Sequence, residues 1–201
     1  MANAKSIRRP ETGAMLADLV GHPVCMEGPV ETRAGVAIRT SPRPGDADAV
    51  AKLHDRLYTA EDGFGPPFTA YVADGMAELV RALEHDPGAG RLWLAEVDGH
   101  LKGSIAIVRA APTVAQLRWF LLAPELRGRG LGRHLLDQAL AYAASNAYES
   151  VFLLTVKGLD RAAKLYCAAG FVLTDEHPGA PWAGQAIEQR YELRLSPPAS
   201  S

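Results

Sequence analysis

The chain has 201 residues, enough for one domain with a sizeable core. With 48% hydrophobic and 22% charged residues, its composition is that of an ordinary globular protein. A formal net charge of −2 gives no basic excess, so direct binding to nucleic acid is not expected. No apolar run approaches the roughly 20 residues of a membrane span. Cys25 and Cys167 are too few for a disulfide framework, and with no signal peptide they indicate a cytoplasmic protein.

The chain divides into three stretches of different character. Residues 1–34 lack a sustained apolar pattern, so we predict a flexible N-terminal segment. Residues 35–195 carry periodic apolar side chains and form the predicted domain. Residues 196–201, SPPASS, form a predicted disordered tail. The six histidines are scattered through the sequence, so their spacing indicates no metal site.

The first half of the domain is predicted to contain a strand, two helices and a hairpin. In chain order the elements are a strand at 35–40, a helix from 46 to about 58, a loop at 60–67, a helix at 69–84, and strands at 91–97 and 101–109. Asp46 follows Pro44 and Gly45 and is the predicted N-cap of the first helix. Asp98-Gly99 between two apolar runs is a strong hairpin signal.

The second half is predicted to alternate strands with helices. In chain order the elements are a strand at 117–122, a helix from 131, a strand at 151–156, a helix at 159–168, and strands from 171 and at 187–195. The strand at 151–156 is almost wholly apolar, so we expect it at the centre of the sheet with both faces covered. Gly170 is the predicted C′ residue of the last helix. The order predicts an α/β fold, with a mixed central sheet of about seven strands flanked by about four helices.

A strand, a sharp break, a glycine-rich turn and a helix follow one another from residue 117 to residue 140. Pro124 ends the strand because proline has no N–H for a ladder. The turn at 127–132 reads RGRGLG, and glycine permits positive φ and the close approach of a ligand. The first turn of a helix has unpaired N–H groups and the positive end of the dipole, which suit a pyrophosphate. Arg127, Arg129 and Arg133 add positive charge.

Spacing distinguishes this turn from two other phosphate-binding loops. A P-loop needs Gly-Lys-Ser/Thr at the helix start, and a dinucleotide fingerprint needs G-x-G-x-x-G. This turn instead has G-x-G-x-G. On the glycines alone, a tight strand-to-helix turn without a ligand remains an open alternative.

The turn resembles the acetyl-CoA signature of the GNAT N-acetyltransferases, Gln/Arg-x-x-Gly-x-Gly/Ala, with Arg127, Gly130 and Gly132 at its fixed places. The resemblance runs from about residue 37 to about residue 195 and is closest to the acetyltransferase half of proteins that join a MarR-type regulator to a GNAT domain. It implies the GNAT acyl-CoA N-acyltransferase fold and acetyl-CoA as cosubstrate. The cofactor contacts that it implies are Leu121, Leu122, Arg127, Gly128, Arg129, Gly130, Leu131, Gly132, Asp160 and Tyr166.

A second motif, DRAAKLYCAAGF at 160–171, resembles the last GNAT motif, in which an alanine-rich helix carries a tyrosine shortly before Gly-Phe. Ala162 lies four residues before Tyr166, as that pattern requires. Many GNAT proteins have an asparagine seven residues before the tyrosine, but this chain has Leu159 there. Asp160 or the backbone near Gly158 is expected to replace that contact. Taken alone, Tyr166 on an apolar helix would be a core aromatic.

The resemblance implies transfer of acetyl from acetyl-CoA to a primary amine of a small molecule or a protein. A backbone N–H near Leu121 would stabilise the oxyanion. Tyr166 would protonate the leaving thiolate, because its ordinary pKa of about 10 exceeds the value of about 8.5 for a thiol. Glu61 is the first candidate for the base, since LYTAEDGFG resembles the Leu-Tyr-x-x-Glu-x-Gly of the regulator-fused relatives. His54 is the second. Their alternatives are a solvated loop carboxylate and a half-buried helix residue.

The acceptor and the partners are left open by the sequence. Aromatic residues placed to line the acceptor side are Phe64, Phe68, Trp119 and Trp182, although aromatics belong to the core by default. A homodimer is compatible with the sequence. The alternative function is a non-catalytic acyl-CoA-binding or regulatory domain that partners a transcription regulator.

Overall fold

The sheet and helices follow the predicted order. The structure is a computed structural model that describes residues 31–33, 35–62, 66–179 and 186–195. The described elements are β1 (Glu31–Arg33), β2 (Val36–Arg39), α1 (Asp46–Asp62), α2 (Pro66–His85), β3 (Gly90–Val97), β4 (His100–Ala111), β5 (Val114–Leu122), α3 (Leu131–Ser145), β6 (Ser150–Val156), α4 (Asp160–Ala168), β7 (Val172–Pro178) and β8 (Ile187–Arg194). These eight strands form one sheet in the order β1-β2-β3-β4-β5-β6-β8-β7, in which β5 and β6 are parallel. The predicted α/β fold is confirmed, and β1 is the strand beyond those expected.

The N-terminal boundary of the domain differs from the prediction. Glu31–Arg33 lie within the segment predicted to be flexible, yet they form β1 and pair antiparallel with β2. The prediction is wrong for these residues because pairing at a sheet edge uses backbone N–H and C=O groups and needs no apolar pattern. Residues 1–30, residue 34 and the predicted tail at 196–201 lie outside the described residues, so those parts of the domain division stay predictions.

Both α1 and α2 are longer than the sequence predicted. The predicted loop at 60–67 is wrong at both ends, because α1 continues to Asp62 and α2 begins at Pro66. Proline fits the first turn of a helix, where its missing N–H would have no helical partner in any case. Glu61 therefore lies in the last turn of α1 instead of in a loop.

A buried ion-pair network holds the start of α1 against the sheet. Arg39 of β2 is 4% exposed, and its two Nη atoms donate to Asp46 Oδ1 and Oδ2 at 2.7 Å each. Its Nε also donates to Glu96 Oε1 of β3 at 3.0 Å. The predicted cap is therefore wrong: Asp46 is an ion-pair partner, and Gly45 O accepts the first helical bond from Ala49 N at 3.0 Å. The network fixes the helix that carries both candidate bases.

Helices cover both faces of the sheet. α3 and α4 pack on one face, where Leu135, Leu136 and Ala139 are fully buried. α1 and α2 pack on the opposite face, where Val72 and Met76 belong to a second buried cluster. None of the described helices is long and apolar enough to cross a membrane.

A β-bulge interrupts β5 at Trp119. Arg118 pairs with Ala106 and Leu121 pairs with Ser104, so β5 has one residue more than β4 across this stretch. Trp119 has a φ of +49°, in the region that side chains disfavour. A bulge of this kind bends its strand and redirects the side chains that follow.

The bulge reverses which side chains of β5 point to each face of the sheet. Leu117, before it, packs in the cluster under α3, whereas Trp119 packs in the cluster under α2. The parallel ladder with β6 ends at the pair Leu117–Leu153. The strands therefore separate at their carboxyl ends and leave a gap between them.

The central strand β6 is covered differently on its two faces. It pairs with β5 on one side and with β8 on the other, as predicted for a central strand. Val151 and Leu153 are buried, but Phe152 and Leu154 are only half-buried. The expectation that both faces would be fully covered is therefore wrong for the second face. There, a charged side chain lies against the strand: the Arg190 guanidinium of β8 is 3.8 Å from the centroid of the Phe152 ring.

Candidate active site

A cavity of about 730 Å³ opens where β5 separates from β6. Its walls come from the end of β5, the glycine-rich turn, the start of α4 and the last turns of α1. The predicted site residues that line it together are Glu61, Leu121, Leu122, Arg127, Gly128, Gly130, Gly132, Asp160 and Tyr166. Arg129 is exposed and Leu131 is buried in the core, and neither lines the cavity. The volume is that of a typical ligand pocket.

The glycine-rich turn borders this cavity with free backbone groups. Gly128 and Gly130 have φ of +75° and +77°, and open space lies where their Cβ atoms would be. The first i→i−4 bond of α3 runs from His134 N to Gly130 O at 3.0 Å. The N–H groups of residues 131–133 precede that bond and have no partner within the helix. A helix start of this kind suits an anion such as a pyrophosphate.

Arg127 ties the turn to two other elements. Its Nε donates to the Leu122 carbonyl oxygen of β5 at 2.8 Å. Its Nη1 donates to Glu61 Oε2 of α1 at 2.8 Å, and the two side chains are 30% and 37% exposed. The predicted base is thus the ion-pair partner of a predicted cofactor residue. No local sequence pattern predicts this pair, because 66 residues separate its members.

Beyond the bulge, the backbone of β5 has one paired and one open edge. Ala123 N donates to Lys102 O of β4 at 2.7 Å. Backbone groups alternate along a strand, so those of Leu121 also face β4, and those of Phe120 and Leu122 face the gap left by β6. The N–H groups directed into the gap are therefore the neighbours of Leu121, on either side of it.

Tyr166 of α4 is both a core residue and a wall of the cavity. Its side chain is 6% exposed, and its ring centroid lies 6.2 Å from that of Phe120 and 6.0 Å from that of Phe171. Burial, and then the nearby Tyr58, raise the pKa of Tyr166 well above its usual range. α4 ends with Gly170 at C′ as predicted, in a Schellman motif in which Phe171 N donates to Tyr166 O at 3.1 Å.

A second cavity, of about 80 Å³, meets the first at Tyr166. The residues that line both cavities are Tyr58, Phe120, Leu159 and Tyr166. The predicted candidates that line only the second are His54, Phe68 and Trp119. Arg118 and Tyr71 line it too, and the sequence did not single them out because the bulge that brings them together has no sequence signature. Phe64 and Trp182 lie outside the described residues.

His54 is a buried, uncharged wall of the second cavity. It is 2% exposed, and its Nδ1 donates to Val50 O at 2.9 Å. Burial lowers the pKa of His54 to about 4, so the imidazole is neutral at pH 7 and carries its lone pair on Nε2. The ring stacks on Tyr58, with centroids 5.9 Å apart.

The residues at the start of α4 lie where many GNAT proteins have an asparagine seven residues before the tyrosine. Gly158 has a φ of +105°, Leu159 is the N-cap residue, and Asp160 is the first residue of the helix. All three line the larger cavity. The Asp160 carboxylate complements the positive end of the helix dipole, which is a structural reason for its presence. Its contact with the cofactor stays a prediction.

These features together define a class of protein. Two parallel strands separate, a glycine-rich turn opens a helix, and a buried tyrosine on the next helix completes one cavity. This is the arrangement that the resemblance to acyl-CoA-dependent transferases implied. Within the described ranges, no group of three or more His, Cys, Asp or Glu side chains is placed to hold a metal ion.

Comparison with known proteins gives the family. The profile of the Acetyltransferase (GNAT) family matches residues 53–171, more than half of the chain. N-acetyltransferase 8 of Rattus norvegicus is 31% identical over 121 residues, 56% of this chain and 54% of that protein. A mycothiol acetyltransferase of Tsukamurella paurometabola is 30% identical over 187 residues, 86% of this chain and 56% of that protein. The chain thus spans about half the length of these curated relatives.

A solved structure shares the fold. An acetyltransferase of Salmonella typhimurium, solved with its cofactor acetyl-CoA, has a TM-score of 0.64 at 16% identity, over 83% of this chain and 97% of that one. The chain belongs to the acetyltransferase (GNAT) family. The family that the sequence predicted is thus confirmed, and acetyl-CoA, the predicted cosubstrate, is the cofactor of that Salmonella protein. The closer resemblance to MarR-fused proteins stays a prediction.

The predicted binding of acetyl-CoA at the glycine-rich turn can be tested by adding one negative charge. Gly130→Asp should remove most of the affinity for acetyl-CoA, because it adds a carboxylate where the pyrophosphate is expected. Gly99→Asp in the β3–β4 turn is the matched control, since Gly99 has a φ of +74° and open space at its Cβ position but does not line the cavity. Calorimetry should show a roughly tenfold or greater loss, at least about 1.4 kcal/mol, for the first variant alone. Equal affinities in two folded variants would place the cofactor elsewhere.

Burial of His54 makes stability depend on pH. The imidazole of His54 is protonated near pH 6.5 in the unfolded chain but only near pH 4 in the folded protein. The contribution of neutral His54 to the free energy of unfolding is therefore fully present above pH 6.5 and is lost as the pH falls towards 4. This contribution is about 3 kcal/mol. Urea unfolding from pH 4 to 7 should show a shallower slope for His54→Phe than for the wild type. His85→Phe is the control, since His85 also donates from Nδ1 to the carbonyl four residues back, Arg81 O, but is exposed. Parallel slopes for wild type and His54→Phe would contradict the assignment.

Proposed function

We propose that the protein is an N-acetyltransferase that transfers the acetyl group of acetyl-CoA, by direct attack, to a primary amine of a small molecule or a protein. The observation that carries the proposal is that one cavity is lined by the glycine-rich turn, the end of β5 and Tyr166. A second cavity beyond Tyr166 offers room for the acceptor. The family and its matched relatives are acetyltransferases, which argues against a non-catalytic acyl-CoA-binding domain.

The residues present fit acetyl-CoA. The open space before α3 and the free N–H groups of residues 131–133 would hold the pyrophosphate, with Arg127 and Arg133 lining the same cavity. Leu121 and Leu122 would contact the chain that leads to the thioester. When bound, acetyl-CoA supplies a thioester whose carbonyl carbon is open to attack.

The open edge of β5 would stabilise the oxyanion. The N–H groups of Phe120 and Leu122 face the gap, and donors fixed in a strand need no reorganisation during the reaction. In the proposed step, a bond forms between the amine nitrogen and the acetyl carbon as the bond between that carbon and sulfur breaks. The nitrogen loses one proton and the sulfur gains one. The sequence predicted a backbone N–H near Leu121; since the N–H of Leu121 itself faces β4, one of its two neighbours would fill that role.

Tyr166 would stabilise the departing sulfur. Burial first, and Tyr58 second, raise the pKa of Tyr166, so the hydroxyl keeps its proton and remains a donor at neutral pH. The same shift makes complete transfer of the proton to a thiolate, whose ordinary pKa is about 8.5, more costly. The main contribution of Tyr166 is therefore a hydrogen bond to the sulfur as negative charge develops there. Solvent can then complete the protonation.

The amine would react as its free base. His54 lines the acceptor side, but with a pKa of about 4 it is a poor base for an ammonium group. Glu61 is held in an ion pair with Arg127 at the cofactor side. We therefore propose Glu61 as a positioning residue for the turn, and its role as the base stays a prediction of the sequence. The pH dependence of kcat/KM should then follow the pKa of the acceptor itself.

The first test of this mechanism removes one hydroxyl. Tyr166→Phe should lower kcat by roughly 10²–10³, the effect of losing one donor to a developing charge, while affinity for acetyl-CoA stays close to wild type. The two side chains have nearly the same shape, so packing should change little. Tyr142→Phe is the matched control, since the Tyr142 hydroxyl donates to Gly90 O at 3.2 Å and lines neither cavity. Steady-state kinetics on an active amine gives the answer. A wild-type kcat for Tyr166→Phe would leave Tyr166 as a core aromatic only.

The second test separates two roles of Glu61. Glu61→Gln breaks a partly exposed ion pair, so KM for acetyl-CoA should rise by about two- to fivefold and kcat should hold, given about 0.2–1 kcal/mol for such pairs. Glu125→Gln is the control, because Glu125 forms a comparable pair with Lys102 Nζ at 2.7 Å but does not line the cavity. A fall of roughly 10²–10⁴ in kcat with unchanged KM would instead identify Glu61 as the base.

Some parts of the proposal rest on the sequence alone. These are the cytoplasmic location, the homodimer and a partnership with a transcription regulator. None of them enters the mechanism above.

A further inference from the structure

The bulge at Trp119 brings two consecutive side chains of β5 to the same face. The guanidinium carbon of Arg118 lies 4.3 Å from the centroid of the Trp119 ring and 5.3 Å from that of Tyr71 on α2. Gly75 of α2 makes room for both, because a Cβ there would lie 2.9 Å from Arg118 Nη2 and 2.9 Å from Trp119 Cζ2. Arg118 is therefore held in place by aromatic rings and a close helix, at the wall of the second cavity.

Arg118 differs from other arginines of the fold. Arg39, Arg127 and Arg190 each form an ion pair with a carboxylate, whereas Arg118 lies against aromatic rings and has no carboxylate partner among the described residues. A guanidinium without a carboxylate attracts an anion, and its N–H groups match the geometry of carboxylate oxygens. Arg118 therefore points to a ligand that carries acceptor oxygens.

The size of the second cavity limits that ligand. A volume of about 80 Å³ holds on the order of five to eight water-sized groups, at roughly 10–15 Å³ for each. The described lining contains no Asp or Glu, and its remaining walls are mostly aromatic and aliphatic. A polycation would meet Arg118 with no carboxylate to balance its charge. A small group with one carboxylate and one amine fits both the volume and the charge.

We propose that the second cavity binds the α-carboxylate and α-amine of an amino acid, and that Arg118 selects it by binding the carboxylate. The inference rests on the proposed N-acetyltransferase function and names its acceptor. The core of an α-amino acid has five non-hydrogen atoms, which matches the volume. The carboxylate on Arg118 would leave the amine for the Tyr166 end, where the two cavities meet.

The test compares each amino acid with its own amide. Leucine, methionine and phenylalanine, their amides and spermine are offered to the full chain with saturating acetyl-CoA, and release of the CoA thiol is followed. Values of kcat/KM are corrected to the free-amine fraction of each acceptor. At least one acid should exceed its amide by about tenfold or more, the effect of one charge-assisted pair, and spermine should be a poor acceptor.

Substitution of Arg118 should remove this preference. In Arg118→Met the ratio of acid to amide should fall close to one while turnover of the amide is retained, a change that loss of packing alone would not produce. Arg118→Gln makes the same prediction if the methionine variant does not fold. Arg91→Met is the matched control, since Arg91 lies 4.8 Å over the Tyr142 ring and lines neither cavity, and it should keep the wild-type ratio.

The outcomes separate this inference from the function on which it rests. A wild-type enzyme that prefers no acid to its amide, or an Arg118 variant that keeps the preference, overturns the inference. Thiol release with spermine or the amides but not with the amino acids would do the same and leave the N-acetyltransferase function standing. Binding of acetyl-CoA without thiol release on any amine would overturn the proposed function as well.

Discussion

The β-bulge at Trp119 is the constraint on which the site depends. A tryptophan with a φ of +49° is strained, at a cost on the order of 1–3 kcal/mol, so the surrounding contacts must hold it. The fully buried Ser104 donates from Oγ to the Trp119 carbonyl oxygen at 2.7 Å, and the indole packs under α2 beside Gly75. The extra residue turns Phe120 towards the face of Tyr166 and lets β5 leave β6. One local irregularity thus accounts for both the gap between β5 and β6 and the second cavity.

Charge is distributed unevenly along the two cavities. Arg127 and Arg133 lie at the end formed by the glycine-rich turn, and Arg118 lies at the other end. The carboxylates of Glu61 and Asp160 also line the larger cavity, whereas Tyr166 and His54 are neutral, because burial raises the pKa of Tyr166 and lowers the pKa of His54. A neutral junction beside Arg118 disfavours a positively charged nucleophile, and the arginines of the glycine-rich turn attract anionic groups. The proposed reaction, which joins a free amine to the acyl group of a polyanionic cofactor, requires both.

The sequence predicted what depends on local chemistry. The Asp98-Gly99 hairpin, the Schellman end at Gly170 and the strand–turn–helix from residue 117 to residue 140 each follow from residues close together in the chain. It could not predict contacts that depend on the packing of distant elements. The pair of Glu61 with Arg127 joins residues 66 apart, and the bulge places a tryptophan at positive φ, against its own preference. The error at 60–67 has the same origin, because tertiary packing extended two helices into a stretch of turn-forming residues.

The role proposed for Tyr166 is compatible with its place in the core. As a core aromatic it packs near Phe120, Phe171 and Tyr191, and these contacts remove its hydroxyl from water. Removal from water raises the pKa of Tyr166, so the same packing that makes it structural also keeps its proton in place as a hydrogen-bond donor. A solvated tyrosine in this position would exchange its hydrogen bond with water and be less well oriented. What distinguishes Tyr166 from other buried tyrosines is its position at the junction of the two cavities, which is where the proposed function requires a hydrogen-bond donor.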